Sequence, residues 1–245
     1  MYIVAESKVR CRRESKMPQM GFSDRKASIV AEAYRRTKSH VAYLDESYQA
    51  PDPIGHHRKT FYLFTAVVVA QDDMDELRGG LLEIAGSTHW HTTEALLTAG
   101  GRRATEDMLG YLADGKETCV IAHQVSVDPV DHDAEDARRA CYRSLAEELA
   151  AGRAGSWSPI ELLILEERNQ RNFRNKDDKN HKELIRENRI PRNTRLLQTS
   201  PSAERLLWLP DLVSSAFRRT ITHTDGTNEL FEIVKPQVYF LESGD

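Results

Sequence analysis

An α/β fold, a sheet flanked by helices, is what this sequence predicts, and three observations predict it. Two apolar runs, His40 to Ser47 and Phe61 to Ala70, are separated by a short polar loop and read as the strands of an antiparallel hairpin. Later apolar runs, Glu117 to Val127 and Pro159 to Leu165, alternate with stretches of helical period. The run 159–165 is almost wholly apolar, the mark of a strand covered on both faces. With 245 residues, 40% hydrophobic and 29% charged, and no evident linker, the chain suits one large core.

Residues 1–22 are basic and aperiodic and are expected to be disordered, leaving 23–245 as a single domain. They lack the apolar stretch and cleavage site of a signal peptide, and no run is long enough to span a bilayer. A cytoplasmic protein with no membrane partner is therefore expected. Ser23 reads as the N-cap of a helix reaching Lys38, with Ile29, Ala33 and Tyr34 on one face. The strand that follows alternates Val41, Tyr43 and Asp45 against Ala42, Leu44 and Glu46, and it stops before a Pro-rich turn. Two adjacent carboxylates, Asp45 and Glu46, are thus delivered to its end.

After the second strand, a helix begins at Asp72-Asp73, carries Leu77, Leu81, Leu82 and Ile84, and ends near Gly86. Residues 87–94 hold His89 and His91, and a further helix runs to about Ala113, so a helical insertion follows the hairpin. His89 and Trp90 are expected to line a cleft or cap that helix, because no second ligand pair has zinc-like spacing. Asp133 to Ala151 is amphipathic, with Ala137, Cys141, Leu145 and Leu149 on one face. The run 159–165 ends in Glu166-Glu167, a second strand ending in acid. The polar stretch after it is expected to be a mobile surface loop, then a helix from Asp177 or Asp178 to about Asn188 and an edge strand at 194–199. The last long helix carries Leu206, Leu209, Val213, Ala216 and Phe217, with Pro210 near its start and Asp211 in its first turn. The tail, with Phe231, Ile233, Val238 and Phe240, adds a final strand.

Three widely separated cysteines, Cys11, Cys119 and Cys141, suggest neither a disulfide framework nor a zinc ribbon. The net charge of −4 is unevenly spread: residues 1–39 and residues 168–195 each hold ten Lys/Arg against four Asp/Glu. In the second segment Arg168, Arg171, Arg174, Lys176 and Lys179 are candidates for contacts to a nucleic-acid backbone, although a solvated helix face has the same composition.

Asp45, Glu166 and Asp211 are the candidates for one acidic cluster. Carboxylates forced together repel unless a divalent cation joins them, and hard cations such as Mg²⁺ prefer such oxygens. Two ions so held activate a water and stabilise the leaving oxygen of a phosphodiester. The same residues also have ordinary uses, Asp45 in starting a turn, Glu166 or Glu167 in solvating a strand end, and Asp211 in complementing a helix dipole.

Taken together, Tyr43-Leu-Asp-Glu-Ser47, His89-Trp90 ahead of a helix, Glu135-Asp-Ala-Arg-Arg-Ala-Cys141, Leu165-Glu-Glu-Arg168 and Leu206-Leu-Trp-Leu-Pro-Asp-Leu212 resemble the bacterial family called domain of unknown function 3800, over roughly Val41 to Arg219. The resemblance implies a ribonuclease H-like mixed sheet of about five strands flanked by helices. It places the first and fourth strands side by side, so that Asp45 neighbours Glu166, with Asp211 brought to the same edge by the last helix. It also implies Asp45, Glu166 and Asp211 as catalytic, metal-holding residues for Mg²⁺ or Mn²⁺, with Glu46, Glu167, Asp178 and His89 of second rank. The choice of Glu166 over Glu167 comes from the family pattern, since parity at a strand end leaves both open. The chain departs from that pattern at Tyr48, where the family commonly has glycine.

Two functions of different class follow. One is a divalent-metal-dependent nuclease acting on RNA or DNA, for which the resemblance suggests a mobile-element or anti-phage setting. The other is a non-catalytic nucleic-acid-binding or protein-interaction module on the same fold. Convergence of the three acids favours the first, and acids on separate faces favour the second.

Overall fold

The computed structural model describes residues 22–38, 40–52 and 59–242. The expected disordered start at 1–21, Cys11 and part of the loop between the first two strands lie outside these residues. The chain opens with α1 (Phe22–Arg35), which already includes Ser23, so Ser23 is not its N-cap. The face of α1 that meets the core is turned one residue from expectation. Val30 is buried and Ile29 is 55% exposed, with Ala33 and Tyr34 packed on the core beside Val30.

A hairpin follows, β1 (Val41–Gln49) and β2 (Phe61–Val69). Their antiparallel register runs unbroken from Val41↔Val69 to Gln49↔Phe61. The first strand therefore does not stop at its acids: Asp45 lies mid-strand, because β2 is long enough to pair with every residue through Gln49. The expected insertion comes next, as α2 (Met74–Ala85), the short α3 (Thr92–Ala95) and α4 (Ala99–Ala113). Gly86 ends α2 in the left-handed conformation, φ 59°, where glycine carries no Cβ penalty.

The rest of the chain alternates: β3 (Thr118–Gln124), α5 (Glu135–Ala151), β4 (Leu162–Glu166), α6 (Arg171–Arg186), β5 (Arg195–Thr199), α7 (Trp208–Thr222) and β6 (Val238–Glu242). The six strands lie in the order β5-β4-β1-β2-β3-β6. The pairs β1/β2 and β2/β3 are antiparallel, whereas β1/β4, β4/β5 and β3/β6 are parallel. Three antiparallel strands, extended on the β1 side by two parallel ones that arrive through helical crossovers, make a mixed sheet flanked by helices, with β1 and β4 side by side as the family resemblance implies. Here it carries a sixth strand, built from Val238 and Phe240, while Phe231 and Ile233 fall in the turn of 3₁₀ helix before it.

Side-chain alternation divides the core in two. Val41, Tyr43, Val67, Ile121 and Ile164 point to the face covered by α2, α4 and α7. Ala42, Leu44, Phe64, Val120 and Leu165 point to α5, which presents Ala137, Cys141, Leu145 and Leu149 as its periodicity predicts. Helix α5 begins at Glu135, two residues later than expected. The Asp131 carboxylate accepts from the Ala137 N–H at 2.9 Å and so satisfies a donor of its first turn.

The polar stretch after β4 is a correction to the expected mobile loop. It is a 16-residue helix, α6, whose buried stripe is Asp177, Asn180, His181 and Leu184. These positions are three and four apart, a helical face, and all but one are polar. Burial is tolerated because partners are built in. Arg138 of α5 donates two hydrogen bonds to Asp177, at 2.8 and 2.9 Å. The His181 ring bonds the Tyr142 hydroxyl at 2.8 Å and the Thr194 carbonyl at 3.0 Å. Among the described residues no helix is long and apolar enough to cross a membrane.

Candidate active site

Strand parity places the first acid. Asp45 continues the odd-numbered face of β1, with Val41 and Tyr43, and so points to the α7 side of the sheet. In β4 the same face holds Leu162 and Ile164, and Glu166 is the next residue of that parity. The parallel register runs from Val41↔Leu162 to Leu44↔Leu165, and its next step sets Asp45 beside Glu166. The third acid arrives on α7, which begins at Trp208 and puts Asp211 in its first turn. Pro210 costs this helix nothing, because the first turn has no intrahelical N–H bond to lose.

Asp45, Glu166 and Asp211 line one cleft of about 270 Å³, together with Trp90, His91 and Arg218. Asp211 is tightly held. Its Oδ2 accepts from the Thr92 backbone N–H at 3.0 Å and from the Thr92 hydroxyl at 2.8 Å, while Ser215 donates to Oδ1 at 3.3 Å. Thr92 is in turn bonded by the Trp90 indole N–H at 3.0 Å, and the Trp90 ring packs on Trp208. The stretch containing His89 and Trp90 thus serves the cleft by fixing Thr92 on α3. That short helix sits tightly on α4, where a Cβ on Gly101 would fall 2.1 Å from the Ala95 carbonyl oxygen.

The electrostatics report the crowding. Burial raises the Asp45 carboxyl well above the ordinary range, and the charges of Glu166, Asp211 and Glu46 push it further. Burial first, then Asp211, Glu46 and Glu167, push Glu166 up to about 7. A carboxyl raised on folding, from 4.5 to about 7, keeps its proton in the folded chain over a range where the unfolded chain has lost it. The stability that Glu166 contributes is then fully present below about pH 4.5 and is lost as pH rises through about 7. With chelator present, the melting temperature is expected to drop across this window in the wild-type protein and to drop less in Glu166→Gln. Parallel melting curves would check it, and identical slopes would remove Glu166 from the cluster.

Three buried hydroxyls beside the acids have no hydrogen-bond partner among the described residues: Thr65 Oγ1, Thr199 Oγ1 and Ser214 Oγ. Thr65 is the cross-strand neighbour of Asp45, Thr199 that of Glu166, and Ser214 lines the cleft. Unsatisfied hydroxyls next to the carboxylates, Ser214 in the cleft wall and Thr65 and Thr199 on the neighbouring strands, make polar, oxygen-rich surroundings whose chemistry fits a hard divalent cation. In the positions shown, no three His, Cys, Asp or Glu side chains among the described residues could hold an ion jointly.

The other predicted residues have other partners. Glu46, of opposite parity to Asp45, is bound by Arg138 at 2.6 Å. Glu167 pairs with Lys26 of α1, Asp178 accepts from Gln198 at 2.8 Å, and His89 is exposed outside the cleft, where His91 takes its place. In the basic segment Arg168 pairs with Glu135 and stacks on Phe173 at 4.1 Å, and Lys176 pairs with Glu135 at 3.2 Å. Arg174 donates to the backbone carbonyls of Arg168 and Asn169. Arg171 and Lys179 are exposed, and none of the five cations lines the cleft. Sequence reasoning missed Thr92, Ser215 and Arg218. A signal for the last two was present: counting from Asp211, positions 214, 215 and 218 fall at the spacing of one helical face.

No protein-family model matches this chain, and no curated protein does. Among solved structures it is similar to a crystal structure of a mutant of Bst-RNase HIII, with a TM-score of 0.42 and 13% identity, covering 89% of this chain. The chain spans 63% of the length of that structure.

Proposed function

We propose that the cleft hydrolyses phosphodiester bonds of RNA or DNA with the help of Mg²⁺ or Mn²⁺, and that the chain is a member of the domain of unknown function 3800 family. One observation carries the reading: three carboxylates from β1, β4 and α7, far apart in sequence, share one cleft, and burial together with the neighbouring acids raises the proton affinity of Asp45 and Glu166 there. Such crowding has a folding cost that an ordinary turn, strand end or helix cap does not require. Asp45 and Glu166 would hold the cation from the sheet, with Asp211 the third carboxylate. When bound, the ion supplies positive charge to a phosphate and lowers the pKa of a water. The chain's own part is orientation. Thr92 and Ser215 fix the Asp211 carboxylate, β-pairing fixes Asp45, and the packed Trp90 and Trp208 rings wall one side of the cleft.

The full hydrogen-bonding of Asp211 favours a second reading, a non-catalytic nucleic-acid-binding module in which this residue only ties α3 to α7. Incubating the protein with labelled single-stranded and duplex RNA and DNA in Mn²⁺, Mg²⁺ or chelator separates the two. Cleavage that needs the ion and falls at least about a hundredfold in Glu166→Gln and in Asp211→Asn is expected. No cleavage of any substrate in either ion would leave the binding module.

A further inference from the structure

The cleft wraps round an open edge of the sheet. Pairing of β1 with β4 ends at Leu44↔Leu165, whereas β1 continues to Gln49 paired with β2 alone among the described residues. Asp45 and Ser47 reach the cleft from one face of that edge, and Glu46 and Tyr48 border it from the other. Tyr48 is unusual for this position. It is 51% exposed, yet its ring is held in parallel stacking on buried Tyr62, with centroids 5.4 Å apart and planes 13° from parallel. An exposed aromatic fixed in this way loses little rotamer freedom when a further ring stacks on it.

The opposite wall is a single stripe of α7. Asp211, Ser214, Ser215 and Arg218 follow one another at helical spacing and all line the cleft. Arg218 is the one cation among the described lining residues. It is half-buried, and its guanidinium makes no ion pair or hydrogen bond among the described residues, although carboxylates line the same cleft. The basic segment does not supply this charge from within the cleft, since Arg168, Arg171, Arg174, Lys176 and Lys179 do not line it. A guanidinium left open in a polar cleft is suited to a phosphate, which it can contact with two donors.

We propose that the cleft takes one unpaired nucleotide of a single-stranded RNA or DNA, its base stacked on Tyr48 and its phosphate held by Arg218. The assignment rests on the nucleic-acid reading above and narrows it. A base inside a duplex has neighbours on both faces and cannot lie on Tyr48, whereas an unpaired base can. The platform accepts any base, because every base has a flat face, so selection is for strandedness and not for sequence.

Binding of oligo-dT, oligo-rU and a blunt DNA duplex to the Asp45→Asn protein in chelator tests it. That background removes cleavage and one ionisable carboxyl from the cleft. Both single strands are expected to bind more tightly than the duplex. Adding Tyr48→Ala should weaken single-strand binding roughly 5- to 100-fold, and Tyr48→Phe should restore it. Adding Arg218→Ala should lower the slope of log affinity against log salt by about 0.7. Equal affinity for duplex and single strand, or Tyr48→Ala binding like its parent, would overturn the assignment. Ion-dependent cleavage by the wild-type chain alongside that outcome would leave the nuclease reading intact. The expected binding pattern with no cleavage in Mn²⁺ would keep the nucleotide site and remove the nuclease.

Discussion

Asp45→Asn is expected to raise the melting temperature of the metal-free protein, or leave it nearly unchanged, while abolishing both nuclease activity and any stabilisation by Mn²⁺. Asp45 is the most crowded acid of the cleft, raised by burial and then by Glu166, Asp211 and Glu46. An amide has nearly the same shape and no charge, so it removes repulsion without opening a cavity. It is also a poor ligand for a hard cation. In the wild-type protein, ion at a hundred times its dissociation constant should add about 2.7 kcal/mol. For a chain of this size that corresponds to a rise of roughly 5 to 11 °C. Melting curves of both proteins with chelator and with millimolar Mn²⁺ would check this. A wild-type protein without an ion-induced shift, matched by an identical Asp45→Asn variant, would sink the nuclease reading.

Arg138→Met is expected to be strongly destabilising, costing about 3 to 5 kcal/mol. The guanidinium is 4% exposed and joins three elements: Glu46 of β1 at 2.6 Å, the Tyr62 hydroxyl of β2 at 2.8 Å, and Asp177 of α6. It also lies over the Phe64 ring, 5.1 Å from its centroid. Methionine fills much of the same volume but leaves Glu46 without its ion-pair partner and Asp177 with Arg168 alone, at 3.9 Å. The fall in melting temperature should be roughly 6 to 20 °C. Removing the stranded charges as well, in Arg138→Met with Glu46→Gln and Asp177→Asn, should recover much of the loss. By contrast, Lys235→Ala, which breaks an exposed pair with Glu232 at 2.8 Å, should change stability by less than about 1 kcal/mol. A denaturant series on these variants would read all three effects. An Arg138→Met protein as stable as wild type would show that the network is not enclosed.

The local code of the chain was largely legible. The apolar runs became β1, β2, β3 and β4, and the stripe Ala137, Cys141, Leu145 and Leu149 packs as its period requires. These features depend on side-chain alternation over a few residues, which pairing partners do not change. The exceptions have identifiable causes. Val30 replaced Ile29 as the buried residue of α1 because the helix docks through a face that also carries Ala33 and Tyr34. The first turns of α6, before Asp177, read as a loop in the sequence because polarity is equated with exposure there, while the buried polar stripe of the helix is satisfied by Arg138, Tyr142 and the Thr194 carbonyl.

By itself, the sequence determined which carboxylates stand at core strands and at a helix start, since strand pattern and the Leu-Pro-Asp entry are local. Only the tertiary structure decided which of them share a cleft. Glu166 and Glu167 are indistinguishable in composition, but the β1/β4 register turns one toward Asp45, while Lys26 of a distant helix takes the other. Glu46, of second rank beside Asp45 in the sequence, is sent by strand parity to Arg138. Arg218, seven residues after Asp211, became a cleft residue because α7 lies with that stripe toward the sheet edge. In each case the deciding interaction joins residues far apart along the chain, and its energy comes from burial and charge pairing that no local window contains.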